Sequence, residues 1–112
     1  MKKIEAIIRE ERLADIKKKL EELSYAGMTV SEVAGCGRQK GLSLQWRAGD
    51  YRVDLLPKLK IELVVLDEDL SKAVSAITTC CRTGEIGDGK IFVLPVENAI
   101  RIRTGEDGVN AI

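Results

Sequence analysis

The sequence contains no histidine, and only 4% of its residues are aromatic. Without histidine it lacks the side chain that most often serves as a general acid or base near neutral pH. It also shows no paired nucleophile and base, which argues against an enzyme and favours a protein that holds its ligand unchanged. With so few aromatics, we expect a core of isoleucine, leucine and valine in one compact domain, residues 1–112.

Neither sign of charge is in excess, and long apolar runs are absent. Lys plus Arg and Asp plus Glu each number 18, for a formal net charge of zero. General binding to nucleic acid or to a membrane surface needs a basic excess, so we expect neither. Because no signal peptide and no stretch of about twenty apolar residues is found, we expect a cytoplasmic protein without a membrane-inserted segment.

Cysteine is scarce and odd in number: Cys36, Cys80 and Cys81. Two of the three are neighbours, and no C-x-x-C pair exists. This pattern favours free, reduced and mostly buried thiols, with a zinc site or a disulfide as the alternatives.

An internal repeat organises what is present. Residues 3–8 (KIEAII) reappear as residues 60–65 (KIELVV), and each half reads strand, helix, glycine turn, strand. Apolar residues at helical spacing are Leu13, Ile16, Leu20 and Leu23, then Leu70, Ala73, Val74 and Ile77. Strands are expected at 28–33 and 90–96, and Gly27 and Gly84 are expected to end the helices in left-handed conformations. Two β-α-β units sharing an antiparallel sheet predict an α+β, ferredoxin-like β-α-β-β-α-β fold.

A last short strand is expected at residues 98–104. Arg101 and Arg103 have the same parity there, so their guanidinium groups would lie on one face about 7 Å apart. That spacing suits two neighbouring phosphates, whereas exposed ion pairs with Glu97 or Glu106 are the alternative. Because the helices can cover only one face of the sheet, we expect the chain to self-associate through the other.

Two glycine-rich cationic loops are the strongest functional signal, at residues 35–41 (GCGRQKG) and 83–90 (TGEIGDGK). Glycines let backbone N–H groups converge on an anion, and Lys or Arg supplies the countercharge. The G-x-x-x-x-G-K spacing at 84–90 is not a P-loop, because Ile91 stands where Ser or Thr should ligate Mg²⁺ and a strand follows. We favour a phosphate cradle, with a plain tight turn as the alternative.

Between the halves lies an insertion at residues 37–55, which contains Gly37, Gly41 and Gly49. Ordering such a segment costs about 1–2 kcal/mol per residue in backbone entropy, and few apolar residues are present to offset it. We therefore expect a functional loop that is mobile until something binds it.

With these motifs the chain resembles the nitrogen-regulatory PII signal-transduction family over essentially its whole length. The matching segments are residues 2–9 (KKIEAIIR), 27–33 (GMTVSEV), 35–41, 56–62 (LPKLKIE), 82–92 (RTGEIGDGKIF) and 100–106 (IRIRTGE). The family's second signature, T-x-x-x-G-D-G-K-I-F, is met in full by residues 83–92. The resemblance implies a homotrimer with ATP or ADP bound in the clefts between subunits.

Carried over by position, the resemblance implies three sets of ligand residues. ATP or ADP would be held by Ile7, Thr29, Gly35, Gly37, Arg38, Glu62, Val64, Gly87, Gly89, Lys90, Arg101 and Arg103. A second metabolite, 2-oxoglutarate, would chelate the Mg²⁺ of bound ATP, and Gln39 would be the protein ligand of that metal. The 2-oxoglutarate residues would be Arg9, Gln39, Lys40, Gly41 and Lys58, with Lys58 and Arg9 pairing with the carboxylates.

The 37–55 insertion matches the family's T-loop, the arm that docks onto target proteins. Arg47 matches the position that plugs the pore of an ammonium transporter, and Tyr51 matches a tyrosine that is uridylylated in some members. Where the family's first signature reads Y-[KR]-G-[AS]-[AE]-Y, this chain has WRAGDY at residues 46–51. It also has Glu10 and Glu11 where relatives commonly carry proline and an aromatic residue.

The resemblance thus predicts a nitrogen-regulatory signal transducer that senses ATP/ADP and 2-oxoglutarate. Its T-loop would control an ammonium transporter or a nitrogen-assimilation enzyme or regulator, because the ligands favour different conformations of that arm. Two alternatives remain open: an adenylate-only sensor with a different partner, and a small ferredoxin-fold phosphate hydrolase.

Overall fold

The computed structural model describes residues 1–25, 27–36, 42–46, 49–53 and 55–112. Within them the elements are β1 (Lys2–Ile8), α1 (Leu13–Glu22), β2 (Thr29–Gly35), β3 (Leu42–Trp46), β4 (Gly49–Val53), β5 (Leu56–Val65), α2 (Leu70–Cys81) and β6 (Lys90–Pro95). Short 3-10 turns precede both helices, and a third lies at Gly108–Ala111.

Strands β2, β5, β1 and β6 form a four-stranded antiparallel sheet in that order. In the middle of this sheet, Ile7 of β1 faces Lys60 on β5 and Lys90 on β6. On the outer side of β5, Thr29 of β2 faces Glu62. This strand order with two helical crossovers confirms the predicted ferredoxin-like α+β fold.

The core lies between the two helices and one face of the sheet. Alternate residues of β1 and β5 are buried there and form one apolar cluster with the inner faces of α1 and α2. Its largest fully buried side chains are Ile4, Ile8, Ile16, Leu20, Ile61 and Ile77. Among the described residues none of the buried side chains is aromatic, which confirms the aliphatic core expected from composition.

The predicted helix-ending role of Gly27 is wrong. Helix α1 ends at Glu22, and the left-handed residue that follows its C-cap is Ser24, with φ of 66°. The Ser24 N–H donates to Glu21 O at 3.0 Å and the Tyr25 N–H donates to Leu20 O at 2.9 Å, a Schellman arrangement. Gly84 does have φ of 88°, but it lies beyond the extended C-cap of α2 and belongs to the following loop.

The predicted strand at residues 98–104 is also wrong. Ile100 makes only an isolated bridge to Asp107, and Arg101 N–H donates to Glu106 O at 2.8 Å. Positive φ values at Gly105 and Gly108 turn the chain back on itself. Residues 101–104 therefore form a turn, and the two arginines do not share one face of a strand as predicted.

The insertion contains β3 and β4, which pair with each other as a separate two-stranded antiparallel sheet. The sequence patterns did not predict these strands. Because the two strands follow each other directly in the chain, the hairpin needs no contact with the main sheet to form its hydrogen bonds.

The described cysteines are all free, as predicted, but they are not mostly buried. Only Cys81 is buried, whereas Cys80 is half-buried and Cys36 is exposed. Burial raises the pKa of the Cys81 thiol to about 11, so this thiol stays protonated at neutral pH.

The face of the sheet opposite the helices is polar in the middle and apolar toward β6. Lys3 Nζ lies 3.2 Å from Glu5 and 3.5 Å from Glu62, which connects β1 to β5. Phe92 and Leu94 on the edge strand β6 are exposed on this side. In the part of the chain that the structure describes, no helix has the length and apolarity needed to cross a bilayer.

Candidate functional site

One end of the main sheet brings together the end of β1, the start of β5 and the 83–90 loop. Arg9 directly follows β1, and Lys58 lies near the start of β5. The loop enters β6 at Lys90, which pairs with Ile7. On the other side, Gly35 packs near Lys58, since a Cβ at this glycine would lie 3.9 Å from Lys58 Cγ. We call this end of the sheet the loop end.

The two cations predicted to pair with the carboxylates of 2-oxoglutarate contact the 83–90 loop. Arg9 Nη2 donates to Ile86 O at 2.9 Å, and Arg9 Nε donates to Asp88 Oδ1 at 3.1 Å. Lys58 Nζ donates to Gly87 O at 2.7 Å. Two cations from separate strands therefore hold three consecutive residues of the glycine loop.

The surroundings of Lys58 favour an incoming anion. Burial lowers the pKa of Lys58, and the neighbouring Arg9 lowers it further, while Glu11 and Asp88 oppose the shift. Desolvation and the nearby Arg9 both disfavour the charged form of Lys58, and a negative charge beside it favours that form. A carboxylate or phosphate placed here would supply that charge.

Asp88 is the most strongly engaged side chain of the loop. Its Oδ2 accepts from Thr83 N at 2.8 Å and from Gly84 N at 2.9 Å. Its Oδ1 accepts from the Thr83 hydroxyl and from Arg9 Nε. The Thr83 hydroxyl, the two backbone N–H groups and Arg9 hold the pKa of Asp88 far below its usual value, against the opposing effect of burial.

These contacts reduce the part of the 83–90 loop that can serve as the predicted phosphate cradle. The N–H groups of Thr83 and Gly84 already bind the chain's own carboxylate, so the first half of the loop is occupied from within. The later part, with Gly87, Gly89 and Lys90, is the part that remains a candidate for an external anion.

Gly89 permits the closest backbone approach in this region. It has φ of 95°, and a Cβ at this position would lie 1.6 Å from the carbonyl oxygen of Ile7. Only glycine fits, because the opposing atom belongs to a paired strand and not to a flexible side chain. This packing fixes the start of β6 against the end of β1.

A second group of predicted nucleotide residues lies near the other end of β5. Thr29, Glu62 and Val64 line an open cavity of about 890 Å³. Burial acts to raise the pKa of Glu62, but Lys60 and Lys3 outweigh it and hold that pKa below its usual value. Thr29 of β2 pairs with Glu62 of β5, and Val64 lies two positions further along β5.

The same cavity is lined by two residues that sequence reasoning missed, Val109 and Ile112. Both are exposed apolar residues beyond the last predicted element. The only sequence signal for these two residues was that they are apolar and follow a polar segment. That signal does not indicate which cavity the segment reaches.

The remaining predicted residues fall elsewhere. Arg101 and Arg103 are exposed in the turn at 98–108, and within the described residues neither forms an ion pair with Glu97 or Glu106. Outside the described residues lie Gly37, Arg38, Gln39, Lys40, Gly41 and Arg47, and only the backbone of Tyr51 is described. Among the residues the structure does describe, no three acidic or cysteine side chains are grouped as metal ligands.

The fold and this site define an α+β domain of ferredoxin-like topology with positive charge gathered on a glycine loop at one sheet end. Comparison with known families is more specific: the family model of nitrogen regulatory protein P-II matches residues 1–106. The chain therefore belongs to the nitrogen regulatory P-II family, which confirms the resemblance.

Individual relatives match this chain over all of its 112 residues. The chain is 54% identical over 112 residues to nitrogen regulatory protein P-II 2 of Methanothermobacter thermautotrophicus, covering 100% of this chain and 97% of the relative. It is 53% identical to nitrogen regulatory protein P-II of Pasteurella multocida and 54% identical to that of Rhodospirillum rubrum, with 100% of each chain covered in both cases.

We predict that Gly89→Ala destabilises the protein more than Gly84→Ala. Both glycines have positive φ, of 95° and 88°, so both substitutions carry a conformational cost of about 1–2 kcal/mol. Only Gly89→Ala adds a clash with the Ile7 carbonyl, because nothing lies within 4 Å of a Cβ at Gly84. Urea unfolding of both variants measures the difference, and equal losses would contradict the close approach.

We predict that Asp88→Asn weakens the dependence of stability on acid pH. The pKa of Asp88 is depressed in the folded state, so the unfolded chain takes up this proton first, near pH 4. The stabilisation is therefore present above about pH 4 and is lost as pH falls further. Urea unfolding between about pH 3 and 7 should show a shallower acid loss in Asp88→Asn than in wild type or in Glu85→Gln, which neutralises an exposed residue of the same loop. Parallel profiles would contradict the depressed pKa.

Proposed function

We propose that this P-II family member senses ATP or ADP together with 2-oxoglutarate and passes the signal to other proteins through its 37–55 arm. The observation that most supports this is the attachment of Arg9 and Lys58 to residues 86–88. The same loop then carries residues expected for the nucleotide and contacts those expected for the dicarboxylate. Occupancy of one site can change the other only if such contacts differ between states.

The adenine nucleotide would use residues from two chains. Lys58, at the loop end, and Val64, at the cavity, are six positions apart on β5, which is about 20 Å of extended strand. The loop end supplies Ile7, Gly35, Gly87, Gly89 and Lys90, while the cavity supplies Thr29, Glu62 and Val64. A nucleotide in a cleft between copies could contact the loop end of one subunit and the cavity of its neighbour. Gly37, Arg38, Arg101 and Arg103 complete the proposed set.

The dicarboxylate would bind at the loop end. Arg9 and Lys58 would pair with its carboxylates, with Lys40 and Gly41 beside them, and Gln39 would hold the Mg²⁺ of ATP. The donors present fit an anion, since two cations converge and both burial and the neighbouring Arg9 lower the pKa of Lys58. Bound Mg²⁺ would supply positive charge that links the triphosphate to the second ligand.

The exposed apolar edge of the sheet supports self-association, for which we propose a homotrimer. Phe92, Val93 and Leu94 are exposed on β6, an edge strand with unpaired backbone groups on one side. Such a strand is normally covered by another chain or by its own elements.

The arm at 37–55, with Arg47 and Tyr51, would then project to a protein partner, an ammonium transporter or a nitrogen-assimilation enzyme.

A regulatory role without catalysis accords with the names of the relatives, which are regulatory proteins. One observation favours the adenylate-only alternative. Glu11 acts on Lys58 as a neighbouring negative charge, so an internal carboxylate already compensates part of the charge that 2-oxoglutarate would use.

We predict that Mg²⁺-ATP strengthens 2-oxoglutarate binding by about ten-fold or more, a coupling of about 1.4 kcal/mol. Isothermal titration calorimetry with and without the nucleotide measures this coupling.

Lys58→Ala should weaken 2-oxoglutarate binding by about ten-fold or more, because a charge-assisted contact is lost. Lys17→Ala, on the exposed side of α1, serves as the control.

Different outcomes of this titration separate the hypotheses. Tight ATP binding without any effect of 2-oxoglutarate would leave the adenylate-only sensor. Absence of ATP binding would contradict both sensors. Release of phosphate from ATP at more than a trace rate would instead support a hydrolase.

We predict that light scattering gives a mass three times the chain mass of 12.3 kDa. Phe92→Asp should lower this mass, because a carboxylate buried without a partner at an interface is strongly unfavourable. Ser71→Asp, exposed at the start of α2, should leave the mass unchanged. A monomeric wild-type protein would contradict the proposed assembly.

A further inference from the structure

We propose that Asp88 is a positioning residue of the candidate nucleotide site. Its carboxylate clamps the first residues of the 83–90 loop to Arg9 and thereby fixes Gly89 and Lys90 at the start of β6. The link to nucleotide binding rests on the proposed function, whereas the clamp itself does not.

The clamp joins segments that are far apart in the chain. On one side, Asp88 accepts hydrogen bonds from the backbone N–H groups of Thr83 and Gly84 at 2.8 and 2.9 Å and from the Thr83 hydroxyl. On the other side, it accepts from Arg9 Nε at 3.1 Å, across a sequence separation of 79 residues. The carboxylate closes the loop and attaches it to the end of β1.

The adjacent residues extend the effect toward the nucleotide. Gly89 follows Asp88 and packs on the Ile7 carbonyl, and Lys90 pairs with Ile7 as the first residue of β6. Asp88 thus binds Arg9, directly after β1, and Gly89 packs on Ile7 near the end of β1, so two adjacent loop residues are held by the same part of the chain. A loop with positive φ at Gly84 and Gly87 has wide conformational freedom, so losing one anchor would release many conformations.

The clamp also limits where an external anion can bind. Asp88 takes the N–H groups at residues 83 and 84, and Arg9 compensates its negative charge. A phosphate group is therefore directed to the later part of the loop, beside Lys90. Lys58, held on the Gly87 carbonyl, remains close enough to contribute positive charge.

The test compares Asp88→Asn with Glu85→Gln in calorimetric titrations of the full-length protein with ATP. The variants remove the same charge from the same loop, but Glu85 is exposed and only its backbone N–H is engaged, by the Thr83 hydroxyl. We expect Asp88→Asn to weaken ATP binding by about ten-fold or more and Glu85→Gln to change it by less than about two-fold. Wild-type affinity in Asp88→Asn would overturn the proposal.

A second pair of variants removes only one arm of the clamp. Thr83→Val lacks the hydroxyl that donates to Asp88, whereas Thr83→Ser retains it. We expect Thr83→Val to weaken ATP binding and Thr83→Ser to preserve it. This pair decides the question if Asp88→Asn does not fold, and equal affinities in the two variants would overturn the proposal.

Hydrogen exchange without ligand separates the clamp from the proposed function. Amides at residues 83–88 should exchange faster in Asp88→Asn than in Glu85→Gln, while the amides of β1 and β5 stay equally protected. Unchanged exchange in the loop would overturn the clamp. If wild-type protein failed to bind ATP, the proposed function and the nucleotide part of this inference would fall, and the exchange result would still decide the clamp.

Discussion

Strand β1 is paired on both sides, with β5 on one and β6 on the other, and this position fixes what its last residues can reach. Ile7 lies against the start of β6, and Arg9 extends over the loop that precedes it. Lys58 reaches the same loop from β5. A shift of two residues in either register would separate these groups by about 7 Å, so the site depends on the pairing of the central strand.

The contacts at the loop end are made by the chain's own anionic and carbonyl oxygens. Arg9 and Lys58 bind Asp88, Ile86 O and Gly87 O, which are acceptors that a carboxylate or phosphate ligand can replace or share. Because hydrogen bonds to charged groups are individually worth about 1.5–3 kcal/mol, exchange of one acceptor for another can occur with a small net change in free energy. The proposed reversible response to a ligand would require such near balance.

Several elements could be predicted from the sequence because their signals are local. The apolar stripes of α1 and α2 are the faces these helices bury, and the repeated KIE segments are the central strands β1 and β5. The glycine loop at 83–90 was found from its composition. The strand predicted at residues 98–104 was wrong because its signal was local as well. Alternation of isoleucine and arginine indicates a strand only when a neighbouring strand offers hydrogen bonds, and here Gly105 and Gly108 turn the chain away.

By itself the sequence determined the order of the main-sheet strands and the two helices, the aliphatic core and the glycine loop at 83–90, because periodicity and backbone freedom act over a few residues. Only the tertiary structure decided that Arg9 meets Asp88, 79 residues later, and that Lys58 meets Gly87, 29 residues later. It also decided that the chain's own carboxylate binds the first half of the 83–90 loop. Such contacts follow from the order and register of strands across the sheet, which no short segment of the chain encodes alone.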